Sequence, residues 1–393
     1  MTASPKLLEL SLAERESRGL VHTLREILQQ PQTWRATYRK VQRSAPQLEE
    51  FLTRAGIGAQ RTTPLNVLLV GAGTSDYIGK SVSALLQKEW SCNVHAVPST
   101  DLLTNMEDYI LPDVDYLWIS FSRSGDSSEG VAVLEQTLAA HPRIQHLVVT
   151  CNEKGKMARL GNHDNVLSLV LDDAVNDRGL AMTSSFSNMV IAAQALANIR
   201  TLEAYGSVVE SMAASASMVL PVAASICERL VDEAFSRVCF LGSGPLKAAA
   251  IESGLKVMEL TGGRVVALTE SFLGLRHGPL SAIDGDTLVV GFLSANERRR
   301  AFELDLLQEV CAKKLTEKCL VVTPTQLTHN ANFFPNTLLL DLPKTISDSY
   351  RPPLCVLVGQ LLGVCASLRE GLRPDEPSPH GAITRVVTHV AIH

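Results

Sequence analysis

The sequence predicts an α/β fold made twice over, each copy a parallel sheet covered on both faces by helices. Two observations predict it. Short apolar runs of strand length alternate with longer amphipathic runs of helix length, the pattern of parallel strands joined by helical crossovers. The pattern then restarts. Gly71 and Gly73 precede Gly242 and Gly244 by 171 residues, and Ser122 precedes Ser294 by 172, each following a strand at the matching place. That offset marks an internal repeat.

Residues 1–50 read as a helical N-terminal extension. A run over 23–30 stops at Pro31, an amphipathic stretch carries Trp34, Tyr38 and Val41, and a short segment over 47–54 ends before Gly56. The first domain is set at 51–210. Its predicted strands are 65–70, 95–97, 114–121, 145–150 and 166–171, with helices over 78–86 and 131–140. Residues 174–220 are mainly helical, and their long Ala/Met/Leu run connects two domains or lines a dimer contact. The second domain, 225–372, has predicted strands 237–241, 287–293, 318–322 and 336–340 and helices over 246–260, 301–312 and 353–368. A tail over 373–393 carries Pro374, Pro377 and Pro379; it is expected to contribute to the active site, the alternative being a disordered Pro-rich end.

The 393 residues suit two or three domains, and 46% hydrophobic with 20% charged residues provides ample core. The net charge of −5, with no basic block, excludes nucleic acid as the main partner, because backbone binding needs clustered Lys and Arg. None of the eight cysteines has C-x-x-C spacing, so no zinc ribbon or redox motif is indicated, and Cys239, Cys355 and Cys365 read as reduced core residues. Glu9, Glu14 and Glu16 argue against a signal peptide. With no apolar run of spanning length, the expectation is a soluble, cytoplasmic chain with no membrane partner.

The most informative stretch is 120–129, where an apolar strand runs into Ser-Phe-Ser-Arg-Ser-Gly-Asp-Ser-Ser-Glu. Hydroxyls and free N–H groups at a helix N-terminus suit one small anion, phosphate above all. The same residues also suit a plain capping turn with no ligand. The second copy has Ser294-Ala295-Asn296-Glu297-Arg298 in that place and loses the serine cluster. Gly71-x-Gly73-x-x-Asp76 lacks the third glycine of a dinucleotide fingerprint, and Gly79-Lys80-Ser81 lies at the wrong spacing for a Walker loop. His141, His146 and His163 show no metal-ligand spacing and read as surface or core histidines.

Gly71-Ala-Gly-Thr-Ser75 and Ser120-Phe-Ser-Arg-Ser-Gly-Asp-Ser127 together resemble the sugar isomerase (SIS) domain. Glu252-Ser-Gly-Leu-Lys-Val-Met-Glu259 and Arg276-His277-Gly-Pro resemble the isomerase half of glucosamine-6-phosphate synthase. The leader at 26–31, the loop at 177–185 and Arg385-Val-Val resemble the AgaS family of galactosamine-6-phosphate deaminases and tagatose-6-phosphate isomerases. The resemblance covers essentially the whole chain.

It implies two flavodoxin-like SIS units, no cofactor, no metal, and a homodimer or larger oligomer with the active site at the subunit interface. It implies roles as well. Ser122, Ser124 and Ser127 hold the sugar phosphate, with Arg123 either joining them or facing solvent. Thr74 and Ser75, with backbone groups of Leu180 and Ala181, contact the sugar. Glu259 is the proton-transfer base and His277 the ring-opening residue. Arg385 falls near the synthase's Schiff-base lysine, but a guanidinium forms no imine at neutral pH, so it is expected to contact a phosphate, carbonyl or carboxylate. The implied reaction is galactosamine 6-phosphate to tagatose 6-phosphate plus ammonia. Alternatives are plain tagatose-6-phosphate isomerisation, glucosamine-6-phosphate deamination, or a non-catalytic sugar-phosphate-binding regulator. Without the resemblance, Glu252, Lys256 and Glu259 at i, i+4 and i+7 read first as a solvated ion-paired stripe.

Overall fold

A computed structural model describes residues 6–59, 63–327, 334, 336–378, 380–387 and 390–392. The chain divides into two compact units. The first holds Gln32–Asp177, Ser184–Val209 and Thr384–His393; the second holds Met1–Pro31, Arg178–Thr183 and Glu210–Ile383.

The chain opens with α1 (Leu12–Arg18), α2 (Val21–Leu28) and α3 (Gln30–Arg54). The first sheet follows: β1 (Leu65–Gly71), α4 (Thr74–Trp90), β2 (Asn93–Pro98), α5 (Ser99–Asn105), β3 (Asp115–Ser122), α6 (Ser128–Ala140), β4 (Gln145–Thr150), α7 (Lys156–Arg159) and β5 (Val166–Val170). After α8 (Ser184–Ala197) and α9 (Leu202–Asp232) comes the second sheet. It consists of β6 (Arg237–Gly242), α10 (Pro245–Leu260), β7 (Val266–Glu270), α11 (Phe272–Leu275), β8 (Thr287–Phe292), α12 (Glu297–Ala312), β9 (Cys319–Thr323) and β10 (Asn336–Leu339), closed by α13 (Pro352–Arg369).

Every strand pairing is parallel. The sheet orders are β2-β1-β3-β4-β5 and β10-β9-β8-β6-β7. Read from its other edge, the second is β7-β6-β8-β9-β10, the same order element for element. The predicted repeat is therefore a repeat of topology, and the order is the flavodoxin-like one.

Three expectations are corrected. The segments expected at 33–41 and 47–54 are one helix, α3, which runs through Pro46. Pro46 gives up a helical hydrogen bond and crowds the preceding turn, a cost of about 3 kcal/mol. Burial of Trp34, Val41, Leu48, Phe51 and Leu52 along one face offsets it. Trp34 Nε1 also donates to Ser187 Oγ at 2.8 Å, and Thr37 Oγ1 to Asn188 Oδ1 at 2.7 Å. Second, β7 was not predicted. It pairs with β6 at the edge of the sheet, and its signal was only the four-residue run Val265-Val266-Ala267-Leu268 after Gly262-Gly263, at the lower limit of strand length and half-exposed.

Third, two helical stretches are long and apolar enough to span a membrane by length and composition. They are Ile199–Asp232 and Pro352–Arg369, each with mean hydropathy 1.4 over its best window, 56% and 89% of which is buried inside the protein. The α13 helix is apolar all round because it packs along α10 in the second unit.

All eight cysteines are free thiols, and Cys239, Cys355 and Cys365 are buried as expected. His146 is a core histidine, edge-on to Trp118 at 5.8 Å, and burial pushes its imidazole down to about 4.

The start of the tail is docked. Asp375 caps α2 from across the chain: its carboxylate accepts the backbone N–H of Val21 at 2.8 Å, His22 at 3.1 Å and Thr23 at 2.7 Å. The helix's own N-cap residue, Leu20, has no side chain able to do this. Asp375→Ala should cost about 1–2 kcal/mol, the usual worth of an N-cap, seen as a lower midpoint in scanning calorimetry and faster tryptic release of the tail. An unchanged midpoint would remove Asp375 from this role.

Candidate active site

The first unit builds a hydroxyl-lined cup, the place where the sequence expects an anion, from neighbouring strands. β3 and β1 pair with Val70 opposite Ser120, so the β1–α4 turn and the β3–α6 loop leave the sheet side by side. This is the switch point of a 2-1-3-4-5 sheet, where a crevice opens beyond the carboxyl ends of the strands. Thr74 and Ser75, in the first turn of α4, and Ser122, Ser124 and Ser127 are thereby gathered at one edge. Ser122 Oγ accepts the Gly125 N–H at 3.0 Å, and Ser124 Oγ accepts the Asp126 N–H at 3.1 Å. Asn152 Nδ2 donates to the Ser124 carbonyl at 2.7 Å, and the Lys156 N–H to Asp126 at 2.9 Å. Gly125 has φ +66°, and a Cβ there would stand 3.2 Å from Gly155 Cα. Glycine is required on both counts.

Arg123 neither faces solvent nor stands open. It is buried, and its Nη2 donates to the backbone carbonyl of Arg385. Arg385 in turn donates from Nε to the Asp177 carbonyl at 2.8 Å and from Nη2 to Asn176 Oδ1 at 2.7 Å. Two residues on, the Val387 carbonyl accepts the Ser128 N–H at 3.1 Å, at the first residue of α6. The end of the tail therefore lies on the cup, and Arg385 is bound to a backbone carbonyl and a side-chain amide.

The remaining candidates lie in the second unit. On α10, Lys256 Nζ sits 2.5 Å from Glu259 Oε2 and 3.3 Å from Glu252 Oε1. The stripe is ion-paired but not solvated, since Glu252 and Lys256 have no exposed side-chain surface. Two glycines on α13 make this possible. A Cβ on Gly359 would fall 2.3 Å from Ser253 Cβ, and one on Gly363 3.1 Å from the Lys256 carbonyl oxygen. α13 therefore lies close enough to seal the charged pair from water. Burial opposes the Lys256 charge, yet Glu252 and Glu259 outweigh it and raise its affinity for the proton.

Glu259 keeps 23% of its side chain exposed. It faces a cavity of about 450 Å³ that it lines with Met258, Gly263, Leu372, Ser378 and His380. His277 is exposed, in the turn after α11, and does not line that cavity. The Leu180 N–H donates to the Asp375 carbonyl at 3.0 Å, and Ala181 is buried beside it.

The SIS domain model matches residues 64–199, the stretch that carries the anion cup. A Streptomyces coelicolor chain provisionally named D-galactosamine-6-phosphate deaminase AgaS is 38% identical over 379 residues, 95% of each chain. D-galactosamine-6-phosphate deaminase AgaS of Escherichia coli is 34% identical over 94% of this chain and 95% of its own. The chain belongs to the AgaS family. A solved structure from Clostridium novyi NT, provisionally named a tagatose-6-phosphate ketose/aldose isomerase, superposes with a TM-score of 0.94 at 32% identity over 99% of both chains.

For this AgaS-family chain, sequence reasoning missed three residues that the geometry brings forward. Lys256 had a signal in the i, i+4, i+7 spacing, but its burial did not, because that depends on glycines a hundred residues away. His380 and Asp375 sit in a polar tail whose docking leaves no periodic trace. Lys256→Met should destabilise the protein by about 3–5 kcal/mol in urea denaturation, since it strands a carboxylate with no access to water. The added change Glu252→Gln should recover part of the loss. A loss near zero for the single variant would refute the buried pairing.

Proposed function

We propose that this chain is an amino-sugar-phosphate deaminase that converts galactosamine 6-phosphate and water to tagatose 6-phosphate and ammonia, in amino-sugar catabolism. The observation that carries the reading is its end-to-end relationship, at 34–38% identity, to chains named for that activity. The reading divides the roles. The serines of the first unit's cup, Ser122, Ser124 and Ser127, take the phosphate, so that its binding energy positions carbons 1 and 2. Thr74, Ser75, Leu180 and Ala181 contact the sugar. Arg123 and Arg385 act through the tail, which they tie to the cup.

His277 passes a proton between the ring oxygen and the anomeric hydroxyl and opens the ring. Glu259 takes the carbon-2 proton, leaving an enolamine, and returns it to carbon 1. The product is a ketimine; water adds to it and ammonia departs. Lys256 positions the Glu259 carboxylate for both transfers. The shuttle needs only protein acids and bases, so the reading assigns no metal and no cofactor. It also assigns a cytoplasmic homodimer or larger assembly, in which the exposed His277 serves a partner's site.

The Clostridium novyi neighbour favours a second reading, tagatose-6-phosphate isomerisation. The same proton shuttle performs it when carbon 2 bears a hydroxyl.

Glu259→Gln should lower kcat by about 10²–10⁴-fold, the usual worth of general acid–base catalysis, with little change in substrate affinity. Turnover near that of the unchanged enzyme would deny Glu259 the role of base. Ammonia release should be fast with galactosamine 6-phosphate, slow with glucosamine 6-phosphate, and insensitive to added chelator. Equal rates on both amino sugars would overturn the galactosamine preference, and isomerisation of tagatose 6-phosphate without any ammonia release would overturn the deaminase assignment.

A further inference from the structure

The second unit repeats the anion cup and fills it from within. Its turn matches that of the first: Gly73, before α4, has φ 54° and ψ −126°, and Gly244, before α10, has φ 57° and ψ −129°. Its loop matches too. Ser294 is buried after β8, and its Oγ accepts the Asn296 N–H at 3.0 Å, as Ser122 Oγ accepts Gly125 in the first unit. The loop then enters α12, a 16-residue helix capped by Asn296, whose side chain accepts the Arg299 N–H.

Asp348 sits at this N-terminus. Its Oδ2 accepts from Ser294 Oγ at 2.5 Å and Arg299 Nη1 at 2.6 Å. Its Oδ1 accepts from the Ala295 N–H at 2.8 Å and Arg351 Nη1 at 2.8 Å. A hydroxyl, a backbone amide beside a helix start and two guanidinium groups form a donor set for a phosphate-class oxyanion. Arg351 is independent evidence that the place is built for an anion. It is wholly buried, neither its Nε nor its Nη2 has a hydrogen-bonded oxygen or nitrogen partner among the described residues, and its ion pair there is with Asp348. The other acidic group at the cup is Glu303, which accepts the Ser294 N–H at 2.7 Å and so withholds that amide from any ligand.

We propose that the second unit is an anion site whose ligand is the chain's own Asp348 carboxylate, and that removing this carboxylate opens the cup to an inorganic oxyanion of the phosphate class. It follows that each chain takes one sugar phosphate, at the first unit. That stoichiometry rests on the sugar-phosphate reading above; the opening of the second cup does not.

The test counts phosphate equivalents per folded full-length chain by equilibrium dialysis with inorganic phosphate, alongside thermal unfolding in chloride and in phosphate. Asp348→Ala should bind one equivalent more than the unchanged protein, and phosphate should raise its unfolding midpoint selectively. If it folds only when phosphate is present, that supports the proposal; failure to fold in both buffers overturns it. The double change Asp348→Ala with Arg351→Met, which also removes the buried cation, should return the count to that of the unchanged protein. A folded Asp348→Ala chain with no added equivalent overturns the proposal, as does a second equivalent on the unchanged protein. If galactosamine 6-phosphate is not turned over but Asp348→Ala still gains its equivalent, the functional reading falls and the second cup stands.

Discussion

Lys256 is a positive charge sealed from water, and much of the second unit is arranged around keeping it there. An unpaired ammonium in that position would give up its proton or unfold its surroundings. Glu252 and Glu259 stand one helical turn to either side, so α10 itself supplies both counter-charges. The seal comes from α13, whose Gly359 and Gly363 let its backbone approach α10 more closely than any side chain would permit. This explains why α13 is apolar around its whole circumference, and why composition alone confuses it with a membrane span. It also gives Glu259 its character. One oxygen is fixed by a buried cation while part of the side chain reaches the cavity, and under the proposed shuttle a carboxylate that moves a proton from carbon 2 to carbon 1 gains from being held still.

What the sequence made legible were features carried by local chemistry. The strands β1, β3, β4, β6, β8 and β9 each hold a short, mainly apolar run, and the glycine turns and the serine loop announce themselves by residue type. What stayed hidden depends on partners distant in the chain. β7 is a strand because β6 offers it an edge, not because its residues alternate. α3 crosses Pro46 because its buried face outweighs the proline. The sequence placed Arg123 beside a phosphate or in water; the structure seats it under the tail, an outcome fixed by Arg385, 262 residues on. Glu252, Lys256 and Glu259 read as a solvated stripe, and only α13 shows Glu252 and Lys256 to be buried.

The tail does one thing in each unit, and the two share a logic. In the second unit the Asp375 carboxylate closes the N-terminus of α2. In the first unit the Val387 carbonyl closes the Ser128 N–H at the N-terminus of α6. Each supplies negative partial charge or full charge where a helix presents unpaired donors. A carboxylate on three N–H groups is a durable contact. The Val387 carbonyl meets one N–H, and Arg385 adds the remaining anchors through Arg123, Asp177 and Asn176.

The same comparison explains how a duplicated fold divides its labour. Both cups have the glycine turn, the serine whose oxygen folds the loop onto itself, and the helix start. In the first, the serine cluster supplies neutral hydroxyls, and the loop's own carboxylate, Asp126, accepts from the Lys156 N–H and Asn152 Nδ2. In the second, Arg299 and Arg351 raise the demand for negative charge, and Arg351 has no water to share that demand. Burial resists the Asp348 charge, yet the Ser294 hydroxyl, the Ala295 amide and the two guanidinium groups outweigh it and hold its carboxyl below the ordinary range. A cup so strongly charged would bind any small oxyanion continuously if it were left open. Supplying the anion from the chain turns that liability into a fixed point between the β8–α12 loop and the start of α13, and leaves the first cup as the place where binding a ligand changes anything.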